Sequence, residues 1–299
     1  MTSRFSFLAI CLALSLSVAC GDDDRRPVGG RDSGPADAGV DTSRPLDAGP
    51  RPDVGPRTDA GPALPAVVWA HSGRELFRFD PLSNRVTSVA VFNTTEDPDA
   101  ADFFSMTDIA VRSDGALFGL GRRRVWSINP ETAECTSVVT TDVLGTAMSF
   151  VPAGEISARE ELIVGYEDDD DRAKLARVDL EADRVEDLAT FSGDCETSGD
   201  ITSISGLGTF ITLRCADDDT QDYLATLNVM TASITIIGPT GVEDIWGLGF
   251  WAGVFYGFTE SGQLVEINAD TGASTVISND IGSEDGFWGA GVTTEAPLI

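Results

Sequence analysis

The chain of 299 residues carries 49 acidic side chains against 20 lysines and arginines, which gives a formal net charge of −29 and a pI near 4.1. So large an excess of negative charge excludes nucleic acid and anionic membrane surfaces as partners, because both would repel it. One histidine and, after residue 20, three cysteines are too few for an ordinary zinc site.

The N-terminus has the pattern of an export signal. A single cation, Arg4, precedes an apolar run from residue 5 to 19 that is too short to span a bilayer comfortably. The following Ser17-Val18-Ala19-Cys20 resembles a bacterial lipobox, although Ser17 stands where leucine is usual. This resemblance implies a signal peptide over 1–19 and a lipid on Cys20, and Gly21 resembles the residue that lets lipoproteins reach the outer membrane. An ordinary signal peptidase could cut the same bond, so a secreted or periplasmic protein is the alternative.

Residues 20–65 are predicted to form a disordered linker between the lipidated cysteine and a folded domain. Residues 21–65 hold eight of the 14 prolines and eight of the 31 glycines, no aromatic residue, and Asp-Ala-Gly three times. Such a segment cannot bury enough apolar surface to offset its chain entropy. A long tether directly after a lipidated cysteine suits a domain held at the bacterial cell surface.

A repeat runs through residues 66–299. Five short β-rich motifs, at spacings of 49, 50, 49 and 40 residues, each end in Asp or Asn followed by a turn: E75-L-F-R-F-D80, R124-V-W-S-I-N129, K174-L-A-R-V-D179, Y223-L-A-T-L-N228 and Q263-L-V-E-I-N268. Aspartate and asparagine suit this position because their side chains bond to the backbone two residues later. Further strand-like runs before and after each motif give four strands per unit, the size of a propeller blade.

The first unit lacks its leading strand, and the end of the chain supplies one. W288-G-A-G-V292 copies W246-G-L-G-F250 almost residue for residue. We therefore predict an all-β, five-bladed β-propeller over 66–299, closed into a ring by the C-terminal strand. The chain is similar to the broad group of propeller repeats that includes the YVTN-like and quinoprotein-like repeats. That resemblance implies a fold only, because the group contains both binding modules and enzymes.

The leading strands should be innermost, since they carry small residues where blades would converge: Ala110, Ser149, Ser205, Gly249 and Gly291. In an antiparallel blade, the connector between the second and third strands lies on the same face as the start of the inner strand. The runs Asp168–Asp171 and Asp217–Asp219 both occupy that connector. The face on which the inner strands begin, here termed the acidic face, is therefore the predicted ligand face.

The sequence lacks the residues that most catalytic mechanisms require. His71 lies in a turn with no G-x-S-x-G motif anywhere, so it is interpreted as a surface histidine rather than a catalytic base. No stretch has the spacing of a calcium-binding loop, and the quinoprotein-like turn at 268–277 lacks its downstream tryptophan. Carboxylates remain, with Asp108 deeper in its strand and five acids expected around the mouth of the axis: Asp200, Glu243, Asp244, Glu284 and Asp285.

Two functions stay open. The first is a tethered binding or scaffold module, monomeric, whose acidic face takes a protein, a glycan or a cationic ligand, with Ca²⁺ predicted at Asp200 and Asp244. The alternative is a carbohydrate-active hydrolase that uses axial carboxylates. Trp246 and Trp288 are compatible with a sugar platform but are interpreted first as packing between blades.

The cysteines also allow a prediction. The chain positions of Cys195 and Cys215 put both at the same end of adjacent blades, which predicts a disulfide between them in an exported protein. Cys135 has no candidate partner and is expected to be a buried free thiol.

Overall fold

The computed structural model describes residues 67–96, 105–121, 123–170, 172–191, 195–215, 218–279 and 281–299. The predicted signal peptide, Cys20 and the linker lie outside these residues. Within them the regular structure is entirely β, and no helix long and apolar enough to cross a bilayer occurs.

Twenty described strands form five antiparallel sheets of four, which confirms the predicted five-bladed β-propeller. From the inner edge outward, the first two blades contain β20 (Gly289–Gly291), β1 (Val68–His71), β2 (Glu75–Asp80) and β3 (Arg85–Val91), then β4 (Met106–Val111), β5 (Leu117–Gly121), β6 (Arg124–Ile128) and β7 (Cys135–Thr140). The third blade contains β8 (Gly145–Val151), β9 (Glu161–Glu167), β10 (Ala173–Asp179) and β11 (Arg184–Thr190). The last two contain β12 (Cys195–Ile204), β13 (Gly208–Cys215), β14 (Asp218–Asn228) and β15 (Ser233–Pro239), then β16 (Ile245–Trp251), β17 (Val254–Thr259), β18 (Leu264–Asn268) and β19 (Ser274–Ser278).

The ring closes where the sequence predicts. Strand β20 pairs with β1 in the register Trp69↔Gly291 and His71↔Gly289. The five inner strands contact one another in the cyclic order β4, β8, β12, β16, β20 and back to β4. Edge-to-face aromatic contacts reinforce the seam between the first and fifth blades, with Phe79 packing on Tyr256 at a centroid distance of 4.9 Å.

The turn at the end of each repeat motif has the predicted chemistry. In all five blades the terminal Asp or Asn accepts a hydrogen bond from the backbone N–H two residues later, at 2.9–3.1 Å. These side chains therefore fix the same turn between the third and fourth strands around the ring.

The C-terminal segment closes the face opposite the acidic face. Thr293 bridges to Val111 in the second blade, and the backbone carbonyl of Thr294 accepts the Ser205 N–H at 2.8 Å in the fourth. The Thr294 hydroxyl donates to Glu160 at 2.6 Å in the third blade. Because the last eight residues contact several blades at this end, they tie the inner strands together as well as completing the first blade.

One small residue is placed differently from the prediction. Ala110, Ser149, Gly249 and Gly291 lie in inner strands, but β12 ends at Ile204 and Ser205 belongs to the turn that follows. The inner strand of the fourth blade is therefore displaced toward the N-terminus relative to the motif assigned from the sequence.

Candidate functional site

One repeat position lies at the axis. When the blades are aligned by the registers of their inner, second and third strands, five residues become equivalent: Asp108, Ala147, Asp200, Gly247 and Gly289. Only a small residue or an inward carboxyl fits here, since a side chain at Gly247 would come within 3.0 Å of Ala290. The two aspartates are fully buried, with 0% exposure.

The two axial carboxyl groups bind the backbone of all five inner strands. Asp200 accepts the Ile201 N–H on Oδ1 at 2.6 Å and, on Oδ2, those of Leu248 at 2.8 Å and Ala290 at 3.1 Å. Asp108 Oδ1 accepts the Ile109 N–H at 2.8 Å, and the Met148 N–H is also directed at this carboxyl group. The five N–H groups belong to the residues that directly follow the axial positions, so the pair of aspartates satisfies a ring of inward donors.

Burial changes the charge of this pair. Desolvation, together with the neighbouring Asp200 charge, raises the pKa of Asp108 well above its usual value. Desolvation also raises the pKa of Asp200 to about 8, against the opposing effect of its backbone hydrogen bonds. Two ionised carboxylates buried side by side would repel each other strongly. The pair therefore retains a proton at neutral pH.

His71 lies beside Asp108, and its interpretation as a surface residue is wrong. It is completely buried in β1, because β20 covers it after the ring closes, and its Nε2 lies 3.9 Å from Asp108 Oδ1. Nδ1 donates to the Ser72 carbonyl at 2.8 Å, which makes Nε2 the unprotonated nitrogen. Burial lowers the pKa of His71 to about 4, so the ring is neutral.

A cavity of about 360 Å³ opens on the acidic face directly above the axial positions. In every blade the residue just before the axial position lines it: Thr107, Thr146, Gly199, Trp246 and Trp288. Thr107, Thr146 and Trp246 are the extra residues of β-bulges between inner and second strands, and Gly199 lies inside a wider irregularity of the same kind. A bulge re-aims a side chain out of the sheet pattern, and here it turns these residues toward the axis.

Trp246 and Trp288 form one corner of the cavity. Their ring centroids lie 6.3 Å apart and their planes meet at 83°. They belong to neighbouring blades, so the predicted packing between blades is present, and both rings are also half exposed to the cavity. The rest of the lining consists of Leu144, Glu167, Thr197 and Ser198.

The carboxyl group of Asp222 lies behind Ser198, which lines the cavity. Burial raises the pKa of Asp222 to about 6, an effect that the Ile245 N–H, Arg214 and the Ser198 hydroxyl oppose. Arg214 lies 3.5 Å from Asp222 and 2.6 Å from Asp244, so one guanidinium pairs with both carboxylates.

The acids predicted to ring the axis do not converge. Asp200 is sealed under the cavity on backbone amides, and Asp244 is paired with Arg214. Glu243, Glu284 and Asp285 are exposed and do not line the cavity. No group of three or more His, Cys, Asp or Glu in the part of the chain that the structure describes could hold a metal ion. The ligand set predicted for Ca²⁺ at Asp200 and Asp244 is therefore not assembled, and Ca²⁺ binding stays a prediction of the sequence.

Asp168 and Asp218, one in each aspartate run, bind groups of their own connectors. Asp168 contacts Arg172 at 2.8 Å and Lys174 at 3.4 Å, which with backbone donors lowers its pKa. Asp218 accepts the Thr220 hydroxyl at 2.6 Å. Asp171 and Asp217 lie outside the described residues. These runs stabilise connectors on the acidic face and contribute no side chain to the cavity.

The cysteines pair as predicted, but their predicted placement in adjacent blades is wrong. Cys195 and Cys215 are joined by a disulfide and face each other across β12 and β13. They therefore lie in one blade rather than in two adjacent ones, because β12 begins earlier in the chain than the sequence motif indicated. Cys135 is free and buried, and burial raises its pKa to about 12.

Comparison with known proteins shows similarity at the level of fold. No family model matches the chain, and no curated protein matches it. Similar solved structures include a protein of unknown function from Bacteroides caccae, with 8% identity, 72% of each chain covered and a TM-score of 0.41. TolB from Acinetobacter baumannii has 14% identity over 75% of this chain and 53% of its own, with a TM-score of 0.42. A putative 6-phosphogluconolactonase from Bacteroides uniformis has 15% identity, coverage of 74% and 72%, and a TM-score of 0.36. Similarities this low carry no argument about activity.

Proposed function

We propose that the propeller is a binding module for a small ligand, with its site in the axial cavity on the acidic face. The observation that carries this proposal is the construction of the cavity, because all five blades contribute the residue before the axial position. Two of these residues are tryptophans, whose large rings give a small ligand apolar surface to bury. Thr146, Thr197 and Ser198 add polar groups at the wall.

A hydrolase receives less support from the same geometry. Among the described residues, the carboxyl groups at the axis are those of Asp108 and Asp200, which are completely buried and accept hydrogen bonds from the backbone. A glycosidase needs two acids that flank a substrate bond, separated by about 5 Å or more and open to the substrate. Glu167 is the one carboxylate that lines the cavity among the described residues, and one acid does not make such a pair.

The test of the binding function compares tryptophan variants. Trp246→Leu and Trp288→Leu remove the two rings of the cavity, and Trp69→Leu is a matched control, because Trp69 is also half-buried but lines a separate depression on the blade edge. The folded domain would be titrated calorimetrically with choline, glucose, N-acetylglucosamine oligomers and short peptides. We expect at least one probe to bind with one site per chain, and this binding to be lost in both cavity variants but kept in the control. Probes that bind all four proteins equally would place the site elsewhere and overturn the proposal.

We also propose that this module is tethered to the outer membrane by lipid on Cys20. The support is the lipobox-like Ser17-Val18-Ala19-Cys20 followed by the proline- and glycine-rich segment 21–65. The wild-type protein should fractionate with membranes and show the mass of a triacylated N-terminal cysteine, whereas Cys20→Ala should not. An unmodified Cys20 at the N-terminus of protein recovered from the medium would contradict the anchor.

A further inference from the structure

We propose that the axial cavity recognises an organic cation, namely an ammonium group carrying methyl or methylene substituents. This inference rests on the proposed binding function and assigns its ligand class. It is carried by three features of the cavity, which are its charge, the angle between its two indoles and the packing of Trp288.

The lining of the cavity disfavours anions. Glu167 is its one ionisable side chain among the residues that the structure describes, and none of the described lining residues is basic. Asp222 lies behind Ser198, where Arg214 is already shared between Asp222 and Asp244. A phosphate or carboxylate ligand would therefore lose its hydration without gaining a cationic partner, whereas a cation gains a favourable field.

The two indoles suit a rounded cation better than a flat sugar ring. The faces of an indole carry negative charge density, and a cation within about 6 Å of a ring centroid is attracted to it. Because Trp246 and Trp288 meet at 83° with centroids 6.3 Å apart, a single group in their corner can contact both rings. A sugar ring stacks along one plane, so the second, perpendicular indole would meet only its edge.

The Trp288 ring and the backbone that carries Trp246 are packed before any ligand binds. The Trp288 ring packs on Gly73, where an added Cβ would approach the ring to 3.3 Å, and the Trp288 backbone N–H donates to the His71 carbonyl at 2.8 Å. Trp246 projects from a bulge in β16, and Gly199 brings its backbone so close to Ile245 that any side chain would collide with the carbonyl oxygen. The Trp288 ring therefore loses little conformational entropy on binding, which favours recognition of a small ligand.

The experiment separates charge from shape. Choline and tetramethylammonium would be titrated calorimetrically into the folded domain beside 3,3-dimethylbutan-1-ol, the uncharged isostere of choline, and glucose. We expect choline to bind one site per chain and the isostere to bind at least about tenfold more weakly, because only the cation gains from the indole faces. Trp246→Leu and Trp288→Leu should each weaken choline binding by about fivefold to thirtyfold.

Matched variants test the carboxylate and the packing. Glu167→Gln should weaken choline binding about threefold and reduce its salt dependence, whereas Glu131→Gln, an exposed acid on the opposite face, should leave it unchanged. Gly73→Ala should also weaken binding, because the added methyl group displaces the Trp288 ring.

The outcomes distinguish this inference from the proposed function. Equal affinity for choline and its isostere, or binding of glucose without choline, would overturn the cation assignment while the cavity remained a binding site. Insensitivity of every bound probe to Trp246→Leu and Trp288→Leu would overturn both.

Discussion

Asp200→Ala is the substitution that most directly tests the axial hydrogen-bond ring. The carboxyl group of Asp200 accepts the N–H groups of Ile201, Leu248 and Ala290, which belong to three different inner strands. Alanine fits the position sterically, because the equivalent residue of the third blade is Ala147. The change therefore removes hydrogen bonds without adding a clash.

The expected cost follows from the three donors. Each buried N–H group left without a partner costs about 1–3 kcal/mol, which gives roughly 3–9 kcal/mol in total. Loss of a desolvated carboxyl group next to Asp108, and entry of water into the space, offset part of this cost. We expect a net destabilisation of about 3–5 kcal/mol, or a fall in Tm of about 10 °C for a domain of this size.

The assay is thermal and urea unfolding followed by circular dichroism. Asp200→Asn keeps one acceptor oxygen and should lose about half as much stability, while Asp170→Ala, a change at an exposed carboxylate, should stay within about 0.5 kcal/mol of wild type. An Asp200→Ala protein with the stability of wild type would refute the assignment of the inward N–H groups to this carboxyl group.

Three further predictions concern the same domain. Because burial raises the pKa of Asp200 to about 8, and raises that of Asp108 well above its usual value, the stability contributed by the protonated pair is present at low pH and lost as pH rises through about 8. Tm should therefore fall as pH rises from about 4, where the unfolded aspartates ionise, to about 8, where folded Asp200 ionises. The fall should be smaller in Asp108→Asn, whereas equal slopes would argue against the pair. Truncation before Phe287 removes β20 and the C-terminal segment, so the domain should lose its cooperative melting transition, and an unchanged transition would mean that the ring closes without β20. Cys195→Ser/Cys215→Ser opens a loop of 20 residues and should lower the free energy of unfolding, measured in urea, by about 3 kcal/mol. An equal free energy of unfolding for the oxidised wild type and the variant would mean that the disulfide does not constrain the unfolded chain.

The architecture could be predicted because it repeats. Five motifs ending in Asp or Asn carry their own turn chemistry, so each copy reports the same local structure independently of the others. The likeness of Trp288–Val292 to Trp246–Phe250 indicated which strand completes the first blade, and pairing of β20 with β1 confirms it. Local patterns of this kind do not depend on packing elsewhere in the molecule.

The candidate site could not be predicted in full, because it depends on the register of the inner strands and the repeat motifs do not determine that register. The repeat pattern aligns Ser205 with Ala110, but the structure aligns Asp200-Ile201 with Asp108-Ile109. That shift moves Asp200 from the mouth of the axis into its buried centre. The Asp-Ile pair that the two strands share was the signal for the correct register. The irregular pairing between Thr197 and Ile201 disguised it, because a bulge changes the spacing of residues without changing their composition. His71 was misassigned for a related reason, since only ring closure buries it.

The pairing of β20 with β1 has a consequence for biosynthesis. Strand β1 is among the first parts of the domain to be made, but its partner emerges about 220 residues later, which at ~5–20 residues per second is a delay on the order of 10 s or more. Throughout that interval the nascent chain presents an unpaired strand edge and half of an aromatic seam. The ring therefore cannot close until β20 has emerged, and a protein that crosses a membrane N-terminus first would close it only on the far side. A chain that stops anywhere before β20 therefore lacks the strand that completes its first blade, however much of the other four blades has been made.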